Sequence, residues 1–378
     1  MHRFAVMLRY ERWYFGVSAL FHGLWPLWGR SKTVRSGKAG NPFLRFLVIR
    51  LDEIGDMVTT LPMLRALKED NPEAKVDLWC SPLVGEWMEG QCGIDRVWKG
   101  QAPPRDQVYD VVLECRGNWE SLRYALQTRV HRRRDRGTIR LLRRLQGQAQ
   151  LHEWDINLEL ARPWLHAQKA QPWGLMDLNA SRQPFLKSSP SAQAETELFL
   201  NRYDLNRYAV LHAGARKMLR RWSLSGWSEL ARRLYNQRGL DIVFVGTPDE
   251  QGDVERIRSM LNFETRVWMD GRPISRLIPL LAGAQVMVGN ESGPMHLSVA
   301  SGCPTVGLFG PGQPEIFSPK VDFFRALHKK LPCNPCGQVR CVLPENPCMN
   351  RIDVEEVMAA VEDLLNRQSP QKLPHEIF

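Results

Sequence analysis

Residues 50–68, RLDEIGDMVTTLPMLRALK, follow an apolar run and place an aspartate, Asp56, directly behind a glycine. Gly55 lets the chain turn, and Asp56 opens a helix whose apolar face runs through Val58, Leu61, Leu64 and Leu67. A carboxylate there either caps the helix or acts as a general base at the end of a strand. Asp52 and Glu53 in the same loop are rivals for the second role. A second loop, HAGARKMLRRW (212–222), frees its backbone at Gly214 and then delivers Arg216, Lys217, Arg220 and Arg221. Cations between a strand and a helix suit a diphosphate, and a solvated basic loop is the alternative. In a third, GNESGPMH (289–296), Ser292 and Gly293 open a helix with Pro294 at its first position, and the N–H groups of such a terminus cradle phosphate. Glu291 can hydrogen-bond a ribose or sugar hydroxyl. Met295 is counted with the donor site, and His296 is either a ligand donor or a packed core residue. Thr247–Glu250, after the run 240–246, is expected near a ribose, and Asp270–Arg272 near a base. No GxGxxG follows a strand and GxxxxGK[ST] is missing, which removes support for nicotinamide enzymes and P-loop kinases.

Cys333, Cys336, Cys341 and Cys348 form a C-x2-C-x4-C-x6-C segment studded with Pro332, Pro335, Pro344 and Pro347. Four thiolates at this spacing suit one structural zinc, remote from any transfer chemistry. Two disulfides, an iron–sulfur cluster and unligated thiols are the alternatives.

These loops need rigid supports. Apolar runs at 43–51, 75–81, 96–100 and 109–117 read as strands, and so do those at 207–214, 240–246, 266–270, 284–290 and 304–310, with amphipathic stretches between them. Buried strands alternating with helices predict two parallel sheets, each covered on both faces, so the fold class is α/β with two doubly wound domains. Ligands of such folds bind beyond the carboxyl ends of the strands, and a two-domain version faces them across a central cleft. The expected divisions are an extension over 1–42, a first domain over 43–185, a second over 186–352 including the cysteine segment, and a helix and tail over 353–378.

Lys plus Arg outnumber Asp plus Glu by 51 to 41, which favours an anionic partner. Residues 1–42 hold seven basic side chains and one acid, and between Arg12 and Arg30 lies a charge-free stretch bearing Trp13, Trp25 and Trp28. That stretch is about 26 Å long as a helix, short of the ~30 Å hydrocarbon core. Tryptophans beside arginines suit a bilayer interface, with a packed helical extension as the alternative. Over 129–144 eight arginines (Arg129, Arg132, Arg133, Arg134, Arg136, Arg140, Arg143 and Arg144) face one acid, Asp135. Such a run binds either nucleic acid or an anionic lipid. With no aromatic residue interleaved, lipid is the better partner.

The sequence resembles the family 9 glycosyltransferases, the lipopolysaccharide heptosyltransferases. Four blocks carry the resemblance: RLDEIGDMVTTLPMLRALKEDNPEAKVDLW; LHAGA with RRWSLSGWSELARRL; GNESGPMHLSVASGCPTVGLFGPGQPE; and CNPCGQVRCVLPENPCMNRI. It implies a GT-B architecture of two Rossmann-like domains, an acceptor in the first and a nucleotide sugar, usually ADP-heptose, in the second. It further implies inverting, metal-independent transfer to a lipopolysaccharide core or similar glycolipid, on the cytoplasmic side of the inner membrane. Asp56 matches the family's catalytic aspartate, with Gly55, Arg132, Arg133 and Arg134 on the acceptor side. Gly214, Lys217, Arg220, Arg221, Glu250, Glu291, Ser292, Gly293, Met295 and His296 fall to the donor, Glu291 standing where the family more often has Asp. No cofactor is implied for catalysis. Another nucleotide sugar with another acceptor remains the second reading, and an anionic-membrane or nucleic-acid binding module the non-enzymatic one.

Overall fold

The computed structural model describes residues 44–128, 130, 132–147, 151–166, 185–271, 273–336, 338 and 340–367. The expected membrane-interface extension over 1–42 lies outside them, as do Arg129 and Arg272. The chain divides into two compact units, Met1–Asp177 and Leu178–Phe378, against a sequence expectation of 185/186. Just beyond the expected boundary, Pro190–Arg202 is a helix whose first turn is capped by Ser189.

The first unit runs β1 (Arg45–Arg50), α1 (Ile54–Val58), α2 (Leu61–Asp70), β2 (Lys75–Cys80), β3 (Arg96–Lys99), β4 (Val111–Arg116), β5 (Arg132–Asp135), α3 (Arg136–Leu145) and α4 (Glu153–Ala161). Its strands are all parallel, in the order β3-β2-β1-β4-β5. Apolar residues on both faces of β1 explain its position at the centre: Leu47 and Ile49 on one face pack with Trp79, Tyr109, Val112 and Tyr124, and Phe46 and Val48 on the other are fully buried.

β5 has the sequence RRRD and was not expected as a strand. It pairs with β4, and the Arg133 guanidinium, fully buried, sits 2.5 Å from Glu114 of β4 and 3.6 Å from Asp135. Burial pushes the Glu114 carboxyl up while Arg133 opposes it. Arg133 was expected on the acceptor side. It is instead part of the core, because a guanidinium this deep must keep its counter-charge.

The second unit runs β6 (Tyr208–His212), α5 (Leu224–Arg238), β7 (Asp241–Val245), α6 (Gln251–Arg258), β8 (Arg266–Trp268), β9 (Val286–Asn290), α7 (Gly293–Ala300), β10 (Thr305–Phe309), β11 (Phe324–His328) and α8 (Val354–Asn366). The strands are again parallel, ordered β11-β10-β9-β6-β7-β8. α5 starts where the Ser223 hydroxyl accepts from Gly226 N–H and ends at Gly239, whose φ of 61° only glycine adopts freely. Asp353 caps α8 in a reciprocal pair with Glu356.

In each sheet the chain winds outward from its first strand, then crosses to that strand's other side. β1 therefore lies between β2 and β4, and β6 between β7 and β9. The loops leaving β1 and β4, and those leaving β6 and β9, diverge at these reversals, where doubly wound folds bind ligands. Among the described residues no helix is long and apolar enough to cross a membrane.

Arg133→Ala should destabilise the fold by about 3–5 kcal/mol in denaturant unfolding, since it strands the Glu114 carboxylate in the core. A loss under about 1 kcal/mol would mean that the pair is solvated.

Candidate functional site

In the first unit β1 ends on Arg50, which is fully buried. Nη1 donates to the Cys115 carbonyl at 3.3 Å. Nε lies 2.9 Å from Asp52 Oδ1 and Nη2 lies 3.2 Å from Asp56 Oδ1. Neither carboxylate contact is aligned as a hydrogen bond, so both are ion pairs across a dry guanidinium. Asp56 is on the first turn of α1, but it does not cap it. The N-cap position belongs to Glu53, and no side chain caps there. Asp56 is turned to Arg50 and keeps its side chain 29% exposed, enough to meet a substrate. Its main chain is also pinned, because its carbonyl accepts from the Thr59 and Thr60 hydroxyls at 2.7 and 3.2 Å. Asn157 of α4 holds the next turn by donating to the Thr59 carbonyl at 2.9 Å. Gly55 lies inside α1 beside Asp56.

The two carboxylates on Arg50 differ. Burial pushes the Asp52 carboxyl up to about 6, with Arg50 opposing and Asp56 reinforcing the shift. Burial also works against the Arg50 charge, yet Asp52 and Asp56 more than offset it and hold its pKa raised.

Most of the neighbouring arginine run is neutralised. Arg136 lies 2.5 Å from Glu153, Arg140 shares that carboxylate, and Arg143 lies 3.3 Å from Glu159. Arg134 donates to the Glu159 carbonyl at 3.0 Å. Of the three expected acceptor-side arginines, only Arg132 is exposed. A nucleic-acid stripe is thus replaced by a set of internal ion pairs, in which Glu114, Glu153 and Glu159 are the partners.

In the second unit the parallel pairing of β6 with β9 sets the register His212↔Gly289 and brings two loops together. Asn290, fully buried, ties them: Nδ2 donates to the Ala213 carbonyl at 2.8 Å, and Oδ1 accepts from Trp222 N–H at 3.3 Å. Arg220 Nη2 lies 3.2 Å from Glu291 Oε1, and Nη1 donates to the Glu291 carbonyl at 3.3 Å. Arg220 Nε and Glu291 Oε2 are both buried and have no protein partner. Burial pushes the Glu291 carboxyl up, against Arg220 and Lys217. Burial and Arg220 push the Lys217 ammonium down, which marks a crowd of positive charge on one loop. Gly312 covers Glu291 without a side chain, and a Cβ there would stand 1.9 Å from Oε2.

Ser292 holds the N-cap position of α7 but does not cap it; its hydroxyl donates to the Asn290 carbonyl at 2.9 Å. Gly293 begins the helix, so its first N–H groups have no side-chain cap. Glu250 reaches back over Gly214, where a Cβ would fall 1.9 Å from Oε1. Burial opposes the Glu250 charge, but His212, Thr247 N–H and Arg221 overcome it and bring the carboxyl down to about 2.

Two expected donor residues, Arg221 and Met295, are engaged elsewhere. Arg221 pairs with Asp253 of α6 at 2.8 Å and donates to the Ala215 carbonyl at 2.9 Å, so it braces the loop. Met295 is fully buried and packs under β10, where a Cβ at Gly307 would meet its sulfur at 2.6 Å. His296 is buried as well, at 6% exposure. His212 was not singled out from the sequence. Its signal was a histidine as the last residue of an apolar strand, just before Ala-Gly.

The cysteine segment is not remote from these loops. Cys336 N–H donates to the Pro311 carbonyl at 3.0 Å, Asn334 Nδ2 to the Gly310 carbonyl at 2.5 Å, and Asn346 Nδ2 to the Leu219 carbonyl at 3.0 Å. All four thiols are free. Burial pushes the Cys348 thiol up, with the other three adding to the shift. Among the described residues no group of three or more His, Cys, Asp or Glu is placed to hold a metal.

Asp52 gives a test of the first unit's electrostatics. A carboxyl held up to about 6 keeps its proton in the folded chain after the unfolded chain has lost it, near pH 3.9. Its contribution to stability therefore falls as pH rises between those values and is level above them. Asp52→Asn removes this slope, so urea unfolding should show the variant gaining on the wild type from about pH 4 to pH 6. Parallel curves would mean that Asp52 titrates normally.

A sequence profile of glycosyltransferase family 9 (heptosyltransferase) matches residues 105–346, well over half the chain. A lipooligosaccharide heptosyltransferase 2 from Campylobacter jejuni is 27% identical over 149 residues, which are 39% of this chain and 47% of the relative. This chain thus spans about half of that relative's length. A lipopolysaccharide heptosyltransferase 2 from Salmonella typhimurium is 24% identical over 309 residues, covering 73% of this chain and 85% of the relative. The structure of E. coli ADP-heptose LPS heptosyltransferase II superposes with a TM-score of 0.65 at 18% identity, over 86% of this chain and all of that one, which shows a shared GT-B fold. With the profile running from the first unit through both donor loops into the cysteine segment, the chain belongs to glycosyltransferase family 9, the heptosyltransferases.

Proposed function

We propose that this chain transfers a heptose from ADP-heptose to the core saccharide of a lipopolysaccharide or similar glycolipid, by inversion and without a metal ion. One observation carries the reading: a buried donor, Arg220 Nε, and a buried acceptor, Glu291 Oε2, lack protein partners beside the uncapped start of α7. Buried polar groups are rarely left without a partner, and a ligand at the strand ends is one that can complete this pair. A diphosphate accepts from Arg220 and from the helix N–H groups, and Lys217 adds charge. A sugar hydroxyl donates to Glu291. The E. coli structure of the same fold is named for ADP-heptose, and the Salmonella relative for lipopolysaccharide, which supports the choice of donor and acceptor.

In this reading Asp56 is the general base. It removes the proton from the acceptor hydroxyl as that oxygen attacks the anomeric carbon, on the face opposite the departing diphosphate. Arg50 fixes the direction of the Asp56 carboxylate. The charge that develops on the leaving group meets Arg220, Lys217 and the dipole of α7, so fixed cations do the work that a divalent ion does elsewhere. Residues 1–42 are assigned to the cytoplasmic surface of the inner membrane, where arginines meet anionic lipid and tryptophans sit at the headgroup level.

Asp56→Asn should cut turnover by at least about 10²-fold and leave ADP affinity unchanged, and EDTA should leave wild-type turnover intact. A variant within about tenfold of wild type would remove Asp56 from the chemistry, and loss in EDTA restored by magnesium would remove the metal-free reading. Arg220→Ala should weaken ADP binding by about 1.5–3 kcal/mol, as a charged hydrogen bond does, and Arg221→Ala by less. The reverse order in titration calorimetry would mean that Arg221, not Arg220, holds the phosphates.

A further inference from the structure

Three loops of the second unit meet on one side chain. His212 ends β6 and is 3% exposed. Nδ1 lies 3.0 Å from Ser292 Oγ, at the start of α7. Nε2 lies 3.4 Å from Glu250 Oε2, in the loop after β7. The second contact is long for a hydrogen bond, but it joins a carboxylate to a ring nitrogen in a buried place, where polar contacts are strong. A carboxylate only accepts, so Nε2 carries its proton toward Glu250, and Nδ1 faces the Ser292 hydroxyl.

Each partner is constrained by a second contact. Glu250 Oε2 also accepts from Thr247 N–H at 3.0 Å, and Gly214, having no Cβ, leaves room for Oε1. The Ser292 hydroxyl lies within hydrogen-bond distance of both the imidazole and the Asn290 carbonyl, its one proton serving one of them at a time, and so is kept from folding over the helix start that its N-cap position would otherwise let it cap.

We propose that His212 is the positioning residue of the donor site: one imidazole sets the Glu250 carboxylate toward the ribose and holds Ser292 off the first N–H groups of α7, leaving them open to the diphosphate. The proposal rests on reading the second unit as the nucleotide-sugar site. An imidazole suits the task because its two nitrogens point in different directions from one rigid ring. An Asn amide reproduces only the Nδ1 side and a Gln amide only the Nε2 side.

The test is titration of the full-length protein with ADP and with adenosine, for wild type, His212→Asn and His212→Gln, with donor kinetics alongside. Both variants should lose ADP affinity tenfold or more. The donor KM should rise by the same factor while kcat at saturating donor stays within about threefold, because His212 touches no reacting atom. Only the Asn variant should also lose adenosine affinity, since Gln still reaches Glu250. Unchanged ADP affinity in both variants, or a fall in kcat with KM unchanged, would overturn the proposal. If either variant fails to fold, Gly214→Ala displaces Glu250 without altering the imidazole and must lower adenosine affinity; full affinity there would equally overturn it. Absence of ADP binding by the wild type would overturn the nucleotide reading, and this proposal with it.

Discussion

When a parallel sheet winds first to one side of its founding strand and then to the other, the loops leaving the central pair of strands run apart and cannot cover the strand ends. Both sheets of this protein are built that way, around β1 and β4 in one unit and β6 and β9 in the other. The register of each pair then decides which side chains meet. His212 opposite Gly289 puts the loop after β6 against Glu291 and Ser292. The pairing of β1 with β4 puts Arg50 under the Cys115 carbonyl, with Asp52 and Asp56 around its head. Neither arrangement needs a long-range design beyond the strand order itself.

The two units then use buried charge in opposite ways. In the first, an arginine-rich sequence is folded inward, and Arg133, Arg134, Arg136, Arg140 and Arg143 each meet a carboxylate or a carbonyl. Burying these ions is costly and their pairing largely repays it, so the network fixes geometry more than it adds stability. Beside it, Arg50 holds the partly exposed Asp56 carboxylate in a fixed direction. In the second unit the pairing is left incomplete: Arg220 and Glu291 satisfy each other on one side and present a donor and an acceptor on the other. A protein that keeps such groups dry and unmatched stores a preference for a ligand carrying both an anion and a hydroxyl.

The apolar strands and the three loops were legible in the sequence, because β-branched runs, glycines at turns and proline at a helix start each have a local cause. β5 was not, since RRRD has no strand pattern; its strandhood comes from Glu114 on the neighbouring strand, which no local window contains. β11 is an edge strand whose polar half hid it in the same way. Among site residues, the basic loop was read as a set, but a sequence cannot tell which of Arg220 and Arg221 faces an acid on α6. Met295 shares a helix turn with the donor loop and faces the core, a matter of one hundred degrees of rotation along α7. His212 was missed because a buried histidine at a strand end is usually packing, and its two partners come from loops about 40 and 80 residues downstream, distances at which spacing rules carry nothing.

The central claim is that the nucleotide sits on the loops of the second unit and the base on the first. Amide hydrogen exchange with and without ADP reads this directly. Slowed exchange is expected at the loops 213–221, 247–251 and 290–296 alone, with residues 50–59 unchanged. Protection of 50–59 instead, or no protection in the second unit at saturating ADP, would contradict it.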